Sequence, residues 1–373
     1  MASPLEITPD ELIRIAEDVV LVDVRERSEH DAGHLAASIL MPLGSVQRSI
    51  GDAIPDQRAP IVVYCATGVR SAVAAAFLRE MGYQAVSNLV GGIERWKVEG
   101  KPWIAPEGLT QTQVDRYSRH LNLPNVGAAG QLALLGSRVA IVGAGGLGSP
   151  VALYLAAAGV GTIGIIDYDT VDSSNLQRQI LHDVDAVGSL KTESARERII
   201  GLNPDVKVET HDVVLDSANV LDILSGYDVI VDAADNFPTR YLINDASLHL
   251  RIPVVHASIY RFEGQVSVFA PYQGPCYRCL FRLPPPPELA PSCETGGVLG
   301  VLPGVVGSLQ ATEAIKMILG IGQPLVGRLL IYDALEQDTS NLQFSRDPGC
   351  PACADEASPP RLVDYDESCR PAR

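Results

Sequence analysis

Residues 139–166 constrain the fold more than any other part of the 373-residue sequence, because they include no charged residue. The stretch is long enough to cross a lipid bilayer as a helix. It also contains seven glycines and Pro150, however, and these residues disfavour one continuous helix. A buried strand, a glycine-rich turn and a buried helix account better for the same residues. We therefore predict an α/β fold rather than a membrane span.

Alternating strand and helix patterns divide the chain into two predicted domains, residues 1–105 and residues 106–373. The first domain has short apolar runs that are typical of a small parallel sheet. The second repeats the alternation on a larger scale and ends with runs that predict a mixed sheet. The runs in question are residues 19–24, 61–64 and 85–89 in the first domain, and residues 264–270, 328–332 and 342–345 in the second.

Prolines mark segments that we expect to lie outside the two sheets. A four-proline run at residues 284–287 fits neither a helix nor a central strand, so we predict a mobile loop there. Residues 99–112 contain two prolines and two glycines and are typical of a linker. We also expect the acidic tail, residues 354–373, to be flexible.

The balance of charges excludes some partners. With 29 basic and 45 acidic residues the formal net charge is −16, so we predict no nucleic-acid partner. Because residues 139–166 are not expected to span a bilayer, we also predict no membrane partner. The first ten residues lack the basic and apolar regions of a secretory signal, and we expect a cytoplasmic protein. Seven cysteines are too few for a disulfide scaffold. In a reducing compartment they should instead bind metal or take part in chemistry.

Cys65 follows an apolar strand, and four residues separate it from Arg70 at the start of a predicted helix. A helix N-terminus and a neighbouring arginine both stabilise a thiolate, which is the reactive form of cysteine. The alternative is a small buried cysteine that only packs at the end of a strand. Because Gly68 and Arg70 accompany the cysteine in one strand-to-helix turn, we favour the reactive thiol.

The length of this loop separates two kinds of cysteine enzyme. Cysteine phosphatases and arsenate reductases place five residues between cysteine and arginine, whereas the shorter loop here resembles that of rhodaneses, which hold a persulfide. Further motifs agree with this resemblance over residues 5–105: residues 21–26 and 29–35, Gly91, Gly92, Ile93 and Trp96. The resemblance implies that Cys65 carries a transferable sulfur. It also implies that Arg70 and the loop amides stabilise the terminal sulfur anion.

A second motif has the glycine pattern GxGxxG and lies between a predicted strand and a predicted helix. It consists of Gly143, Gly145, Gly146 and Gly148, and Asp167 ends the next predicted strand, 19 residues after the last glycine. This arrangement is typical of a nucleotide that lies on a helix N-terminus with its ribose on the acidic residue. Taken alone, it would indicate an NAD-dependent oxidoreductase.

Charged residues after the glycine loop favour a triphosphate instead. Arg178 and Lys191 could neutralise phosphates during attack on an α-phosphorus atom. Asp235 and Asn236 follow a predicted strand and could hold Mg²⁺ between phosphate oxygens. The alternative for the two cations is a pair of solvated surface charges, but their position after the nucleotide-binding strands favours the site.

Four of the seven cysteines form two CxxC pairs, Cys276 with Cys279 and Cys350 with Cys353. Each pair places two thiolates on one tight turn, and two pairs complete a tetrahedral Zn²⁺ site with four sulfur ligands. One pair alone could be a redox dithiol, but two pairs in a cytosolic chain favour structural zinc. No coordination position is left open, so we predict no catalysis at this metal.

The second domain resembles the MoeB/ThiF family over residues 113–353. Besides the motifs above, residues 116–120, 167–169 and 174–179 carry this resemblance. This family contains the bacterial relatives of ubiquitin-activating enzymes, and the resemblance implies a homodimer that uses ATP and Mg²⁺. It implies the following nucleotide and Mg²⁺ ligands: Gly146, Asp167, Ser174, Asn175, Arg178, Lys191 and Asp235. It also implies that Arg119 reaches the ATP of the other subunit.

Cys293 follows the proline run, in a segment that continues with a flexible Thr-Gly-Gly sequence. The MoeB/ThiF family places a cysteine in this loop, which implies a functional thiol. The alternative is a bystander thiol on a surface loop. Cys369, near the end of the sequence, matches no part of the family pattern.

The two resemblances together imply one reaction sequence. The second domain would adenylate the C-terminal glycine of a small ubiquitin-like sulfur-carrier protein that ends in Gly-Gly. The persulfide on Cys65, loaded by a persulfide or thiosulfate donor, would then displace AMP, and thiol exchange at Cys293 would free a thiocarboxylate. Molybdopterin, thiamine, tRNA-thiolation, cysteine and specialised-metabolite pathways all use such carriers.

Three other functions remain open at this point. An NAD-dependent oxidoreductase would use the glycine loop, although Arg178, Lys191 and the zinc cysteines disfavour it. A ubiquitin-like conjugating activator would form a carrier thioester on Cys293. A binding scaffold with a degenerate site would carry out neither reaction.

Overall fold

The computed structural model describes residues 6–283 and 297–364. Contacts between residues divide the chain into two units, Met1–Leu132 and Ala133–Arg373, and each unit has its own β-sheet. The four-proline run, Cys293 and Cys369 lie outside the described residues.

The first unit contains a five-stranded sheet. Its strands are β1 (Glu6–Ile7), β2 (Val20–Asp23), β3 (Ile39–Leu40), β4 (Ile61–Tyr64) and β5 (Val86–Leu89). Its helices are α1 (Pro9–Ile15), α2 (Arg27–Asp31), α3 (Val46–Ala53), α4 (Val69–Glu80), α5 (Gly92–Val98), α6 (Gln111–Arg116) and α7 (Ser118–Leu121). The strand order is β1-β5-β4-β2-β3 and all neighbours are parallel. The small parallel sheet predicted from the sequence is confirmed.

Strand β4 lies in the middle of this sheet, and all four of its residues are buried. Parallel strands are normally covered by helices on both faces. Ile50 of α3 and Leu78 of α4 pack on one face, and Trp96 of α5 packs on the other. The C-terminal end of β4 therefore opens at the centre of one sheet edge, and Cys65 is the next residue.

The second unit contains an eight-stranded sheet. Its strands are β6 (Arg138–Val142), β7 (Thr162–Ile166), β8 (Lys207–His211), β9 (Val229–Asp232), β10 (Val254–Tyr260), β11 (Glu263–Phe269), β12 (Arg328–Asp333) and β13 (Asp338–Gln343). Its helices are α9 (Gly148–Ala158), α10 (Lys191–Leu202), α11 (Val220–Leu224), α12 (Phe237–Leu250), α13 (Tyr277–Leu280) and α14 (Leu302–Leu319), while α8 (Gly127–Gly136) crosses the boundary between the units.

The strand order of the second sheet is β13-β12-β11-β10-β9-β6-β7-β8. Strands β6 to β10 pair in parallel, and β10 to β13 pair antiparallel, which confirms the predicted mixed sheet. Chain order reverses at β6, with β7 on one side of it and β9 on the other. Open parallel sheets bind ligands at such a reversal, in the crevice outside the carboxyl ends of the strands.

Helices cover both faces of this sheet. Val151 of α9 and Leu302 of α14 pack on one face, and Leu224 of α11 and Tyr241 of α12 pack on the other. The uncharged residues 139–166 form β6, α9 and β7, as predicted. No helix among the described residues is long and apolar enough to cross a membrane.

Several elements differ from the sequence predictions, among them α14 and β13. Helix α14 has no counterpart among the predicted elements. A Cβ atom at its Gly307 would lie 2.5 Å from Pro150 Cγ and 2.7 Å from Leu147 O, so glycine allows α14 to approach α9 closely. Strand β13 starts before the predicted residue 342, because backbone pairing with β12 holds it although all six of its residues are exposed.

The described part of the C-terminal tail contacts the second unit. The Asp364 carboxylate accepts hydrogen bonds from Ser217 N (2.6 Å) and Ser217 Oγ (2.8 Å), and Leu362 packs against the apolar cluster on the α11–α12 face. His249 Nε2 lies 2.6 Å from Pro360 O. These contacts hold residues 360–364 against the second unit.

Candidate functional site

The loop between β4 and α4 surrounds the sulfur atom of Cys65. Gly68 has a φ of +94°, a left-handed conformation that favours glycine. In this conformation its N–H donates to Cys65 Sγ at 3.1 Å. The Ser71 hydroxyl lies 3.4 Å from the same sulfur atom and 2.7 Å from Asn88 Oδ1. The loop therefore presents donors to a sulfur anion, as its position at a helix N-terminus predicts.

Two opposing effects act on the thiol. Burial raises the pKa of Cys65, but hydrogen bonds from the Ser71 hydroxyl and from the N–H groups of Ser71, Gly68 and Thr67 lower it. The hydrogen bonds prevail, and the pKa of Cys65 lies below that of an ordinary thiol. The thiolate, and by extension a persulfide anion, is thus favoured at this position.

Arg70 does not stand alone beside the sulfur. Its Nη1 donates to Glu29 Oε2 at 2.8 Å and its Nη2 to Glu29 Oε1 at 2.5 Å. The two side chains are 37% and 20% exposed, respectively. A bidentate pair of this kind fixes the plane of the guanidinium group. Sequence analysis did not single out Glu29, although it lies within one of the rhodanese-like motifs.

Replacing Ser71 with alanine is expected to raise the pKa of Cys65, because one donor to the thiolate is lost. The pH dependence of Cys65 alkylation, followed on its peptide by mass spectrometry, should move to higher pH. Ser45→Ala is the matched control, since the Ser45 hydroxyl donates to Pro42 O in a different loop. An unchanged profile in Ser71→Ala would assign the low pKa to the backbone amides alone.

A cleft with about 1000 Å³ of space lies at the carboxyl ends of β6, β7 and β9. One wall is apolar and is formed by Ile166, Val213, Val214 and Leu215. Eight of the predicted site residues also line it: Gly143, Gly145, Gly146, Asp167, Arg178, Lys191, Asp235 and Asn236. The cleft thus combines an apolar surface with cations and carboxylates.

The glycine loop is tight enough to exclude side chains at two positions. A Cβ at Gly143, where φ is +99°, would lie 2.7 Å from Ala233 O. A Cβ at Gly148 would lie 1.9 Å from Gly143 O. With any side chain at this position, α9 could not start as close to the loop as it does. Gly148 therefore shapes the loop without lining the cleft. The helix N-terminus that results is suited to bind phosphate.

Asp167 braces this loop from the end of β7. Its Oδ2 accepts a hydrogen bond from Ala144 N at 2.7 Å, and its Oδ1 accepts one from Asp169 N at 2.8 Å. The carboxylate thus holds the loop and lines the cleft at the same time. A ribose hydroxyl could donate to the lone pairs that remain.

The two predicted cations both line the cleft and have different partners. Lys191 is the first residue of α10, is buried, and donates from Nζ to Asp169 Oδ2 at 2.8 Å. Arg178 lies beside Gly146 and donates from Nη1 to Ser174 O at 3.3 Å. Both side chains line the cleft, so neither is only a solvated surface charge.

Ser174 and Asn175 do not themselves line the cleft. They form a single helical turn that Asp172 caps through its carboxylate, which accepts from Ser174 N at 2.8 Å. Asn175 Oδ1 accepts in turn from Asp172 N at 3.3 Å. The turn also contacts Arg178, whose backbone N–H donates to Asn175 O at 3.0 Å.

Asp235 and Asn236 play different structural parts. Asn236 Oδ1 accepts from Thr239 N at 2.9 Å and so caps α12, which occupies this amide oxygen. The Asp235 carboxylate is exposed to the cleft and accepts a long hydrogen bond of 3.4 Å from Asn236 Nδ2. One carboxylate beside a phosphate site fits Mg²⁺, which is usually held by one or two carboxylates together with substrate phosphates.

A buried histidine that the sequence did not reveal holds the glycine loop from below. His182 Nε2 lies 2.9 Å from Ala144 O and its Nδ1 lies 2.9 Å from Ser194 Oγ. Burial lowers the pKa of His182, so the ring is neutral, donates to the carbonyl and accepts from the hydroxyl. His182 matches no motif, and only the fold brings it next to the loop.

The four CxxC cysteines meet in space. Their sulfur atoms all lie within 4.8 Å of one another, with Cys276 3.6 Å from Cys350 and Cys279 3.4 Å from Cys353. Zn–S bonds of about 2.3 Å in a tetrahedron place sulfur atoms about 3.8 Å apart. The cluster therefore fits a Zn²⁺ ion with four thiolate ligands.

One predicted nucleotide-binding residue, Arg119, lies in the first unit. Arg119 is on α7 and lines a second cavity together with Arg25, Glu29 and Lys97. Burial, then the charge of Arg25, lowers the pKa of Lys97 to about 8. Cys293, the predicted resolving thiol, lies outside the described residues.

Family comparisons agree with the geometry of both units. The model of the ThiF family matches residues 117–352, which is more than half of the chain. The model of the rhodanese-like domain matches residues 8–99. The first match contains the nucleotide cleft and three of the four clustered cysteines, and the second contains the Cys65 loop.

Individual relatives extend this result. The chain is 53% identical over 265 residues to the sulfur carrier protein adenylyltransferase of Thermus thermophilus, across 70% of this chain and 98% of that protein. It is 50% identical over 273 residues to the probable adenylyltransferase/sulfurtransferase MoeZ of Mycobacterium tuberculosis, across 72% and 68%. A crystal structure of Escherichia coli MccB with succinimide superposes with a TM-score of 0.56 at 25% identity, across 67% and 77%.

Proposed function

The chain belongs to the ThiF family and carries a rhodanese-like domain, and from this premise we propose that it adenylates a sulfur-carrier protein and then loads it with sulfur. The names of its relatives, a sulfur carrier protein adenylyltransferase and an adenylyltransferase/sulfurtransferase, support this proposal. The observation that carries it is the presence, in one chain, of a cation-lined nucleotide cleft and a loop that stabilises a sulfur anion.

In the first step, the carboxylate of the carrier's C-terminal glycine attacks the α-phosphorus of ATP, and pyrophosphate leaves. The apolar wall of the cleft receives the adenine, and the glycine loop and the start of α9 receive the phosphates. Arg178 and Lys191 neutralise the charge that develops on the phosphate oxygens. Mg²⁺, when bound, would withdraw charge from the phosphates, and Asp235 would hold it.

In the second step, the terminal sulfur of the Cys65 persulfide attacks the acyl carbon of the adenylate and AMP leaves. The product is an acyl disulfide between Cys65 and the carrier. The Cys293 thiolate then attacks the sulfur of Cys65, which releases the carrier thiocarboxylate and leaves a Cys65–Cys293 disulfide. A thiol reductant restores both cysteines, and thiosulfate or another persulfide donor reloads Cys65.

Three further assignments complete the proposal. The carrier is a small ubiquitin-like protein that ends in Gly-Gly. The four-cysteine cluster holds a structural Zn²⁺ ion with no open coordination position. The active enzyme is a homodimer in which Arg119 of one subunit reaches the ATP of the other, as the family resemblance implies.

Asp235→Asn is expected to lower carrier-dependent ATP–pyrophosphate exchange by at least about 100-fold, because the variant loses the carboxylate that binds the metal. Thiosulfate sulfurtransferase activity should be unchanged, since it depends on the other unit. Asp222→Asn, an exposed aspartate on α11 outside the cleft, is the matched control. Equal loss of both activities in Asp235→Asn, or full exchange activity, would contradict the assignment.

A further inference from the structure

A second buried histidine, His256, lies beneath the segment that carries Asp235. It is on β10, is 1% exposed, and its Nδ1 lies 2.7 Å from Oδ2 of Asp232, the last residue of β9. Burial lowers the pKa of His256, whereas the hydrogen bond to Asp232 and the charge of Asp232 raise it; burial prevails, with a smaller lowering from the Arg240 guanidinium. The ring is therefore neutral and donates its Nδ1 proton to the Asp232 carboxylate.

Asp232 passes this constraint on to the segment that follows it. Its Oδ1 accepts from Ala234 N at 3.1 Å. The carbonyl oxygen of Ala234 accepts two hydrogen bonds from Arg240, at 2.9 Å from Nη2 and 3.3 Å from Nε. Both polar groups of Ala234 are thus engaged, and Asp235 is the next residue.

Two further contacts keep the histidine and the aspartate in place. Gln310 of α14 donates from Nε2 to Asp232 O at 2.7 Å and to Val255 O at 2.9 Å, which ties the ends of β9 and β10 together. The His256 ring packs against Tyr277, with ring centroids 5.1 Å apart, and against Phe269, at 5.8 Å. The pair is shielded from water. In such a buried environment a hydrogen bond to a carboxylate is stronger than in water.

We propose that His256 is a positioning residue for the metal-binding carboxylate of Asp235, acting through Asp232 and the backbone of Ala234. This inference rests on the proposed function, because it assumes that Asp235 holds Mg²⁺ beside ATP. Neither His256 nor Asp232 lines the nucleotide cleft. Their role is to keep residues 233–235 in one conformation, so that no ordering cost is incurred when the metal and ATP bind.

Two substitutions separate the hydrogen bond from packing. His256→Phe keeps an aromatic ring against Tyr277 and Phe269 but removes the donor to Asp232. His256→Asn loses the ring but keeps an amide N–H near the position of Nδ1. If His256→Phe does not fold, His256→Leu removes the donor in a smaller side chain and takes its place.

The measurement is binding of a fluorescent ATP analogue to the full-length protein at a series of Mg²⁺ concentrations. Loss of the donor is expected to raise the Mg²⁺ concentration at half-saturation by about tenfold, the usual effect of removing an outer partner of a metal ligand. Analogue affinity without Mg²⁺ and thiosulfate sulfurtransferase activity should stay unchanged. His256→Asn should restore most of the Mg²⁺ response.

The outcomes distinguish this inference from the proposed function. A folded donor-less variant with an unchanged Mg²⁺ response, or His256→Asn behaving like it, would overturn the positioning role while adenylation by the unmodified enzyme still stood. An unmodified enzyme without Mg²⁺-dependent ATP binding would overturn the proposed function, and the inference with it. A loss of analogue affinity that is equal with and without Mg²⁺ would also contradict the positioning role.

Discussion

Cys65→Ala should form the carrier adenylate at the rate of the unmodified enzyme and yield no thiocarboxylate with thiosulfate as donor. The variant keeps the whole nucleotide cleft, which lies in the other unit, but it has no sulfur atom that can bear a persulfide. The loss should therefore be complete rather than partial. Pyrophosphate exchange measures the first step, and mass spectrometry of the carrier measures the second.

Cys369→Ala is the matched control for this experiment and should behave like the unmodified enzyme in both assays. Cys293→Ala should retain adenylation and persulfide loading, and should accumulate a reducible carrier adduct on Cys65. Thiocarboxylate formation by Cys65→Ala at the normal rate would refute the sulfur relay. A thiol-labile acyl adduct of the carrier on Cys293 in the Cys65→Ala variant would instead favour a carrier thioester, as in a conjugating activator.

Cys276→Ser should lose bound zinc and destabilise the second unit. In a structural four-sulfur site the metal contributes directly to the free energy of folding. The ligands here join α13 to residues 350–353, which are distant in the sequence. Each kcal/mol lost lowers the melting temperature of a domain of this size by about 2–4 °C, so we expect a decrease of about 10 °C or more.

Metal analysis and calorimetry of Cys276→Ser test this expectation together. Cys65→Ser provides a control in which a cysteine outside the cluster is changed in the same way. Arg278, between the two cysteines of the first pair, donates to both carboxylate oxygens of Asp245 at 2.8 and 2.7 Å. This ion pair remains in the variant, so the turn keeps one anchor. A zinc-free Cys276→Ser protein with an unchanged melting temperature would disprove a structural metal.

The elements that could be predicted from the sequence are those whose signal is local. The strand β4 was predicted over residues 61–64, the bounds that the structure gives it, and the Cys65 loop was placed between a strand and a helix. An apolar run followed by a glycine-containing turn predicts a strand and its end, because the whole signal lies within a few consecutive residues. Helix α14 escaped prediction because Gly307 serves its contact with α9, and that contact is visible only in the packed fold.

The same distinction applies to the candidate sites. Motif spacing identified the residues at the ends of strands, including Asp167 and Asp235. It did not identify Glu29, His182 or His256, whose partners lie 41, 38 and 24 residues away along the chain. These three residues support the predicted groups, and of the three only Glu29 lies within a motif. Only the fold brings each of them to its partner.

The bidentate pair between Arg70 and Glu29 has a consequence for any attempt to weigh the arginine. A single substitution of Arg70 removes a cation near the sulfur. It also leaves the Glu29 carboxylate, which is four-fifths buried, without its ion-pair partner. The measured loss would then contain the desolvation cost of an uncompensated anion. A double-mutant cycle with Glu29→Gln separates the two contributions. The coupling energy measures the interaction between Arg70 and Glu29, and the rest of the loss measures the effect of Arg70 on the sulfur anion.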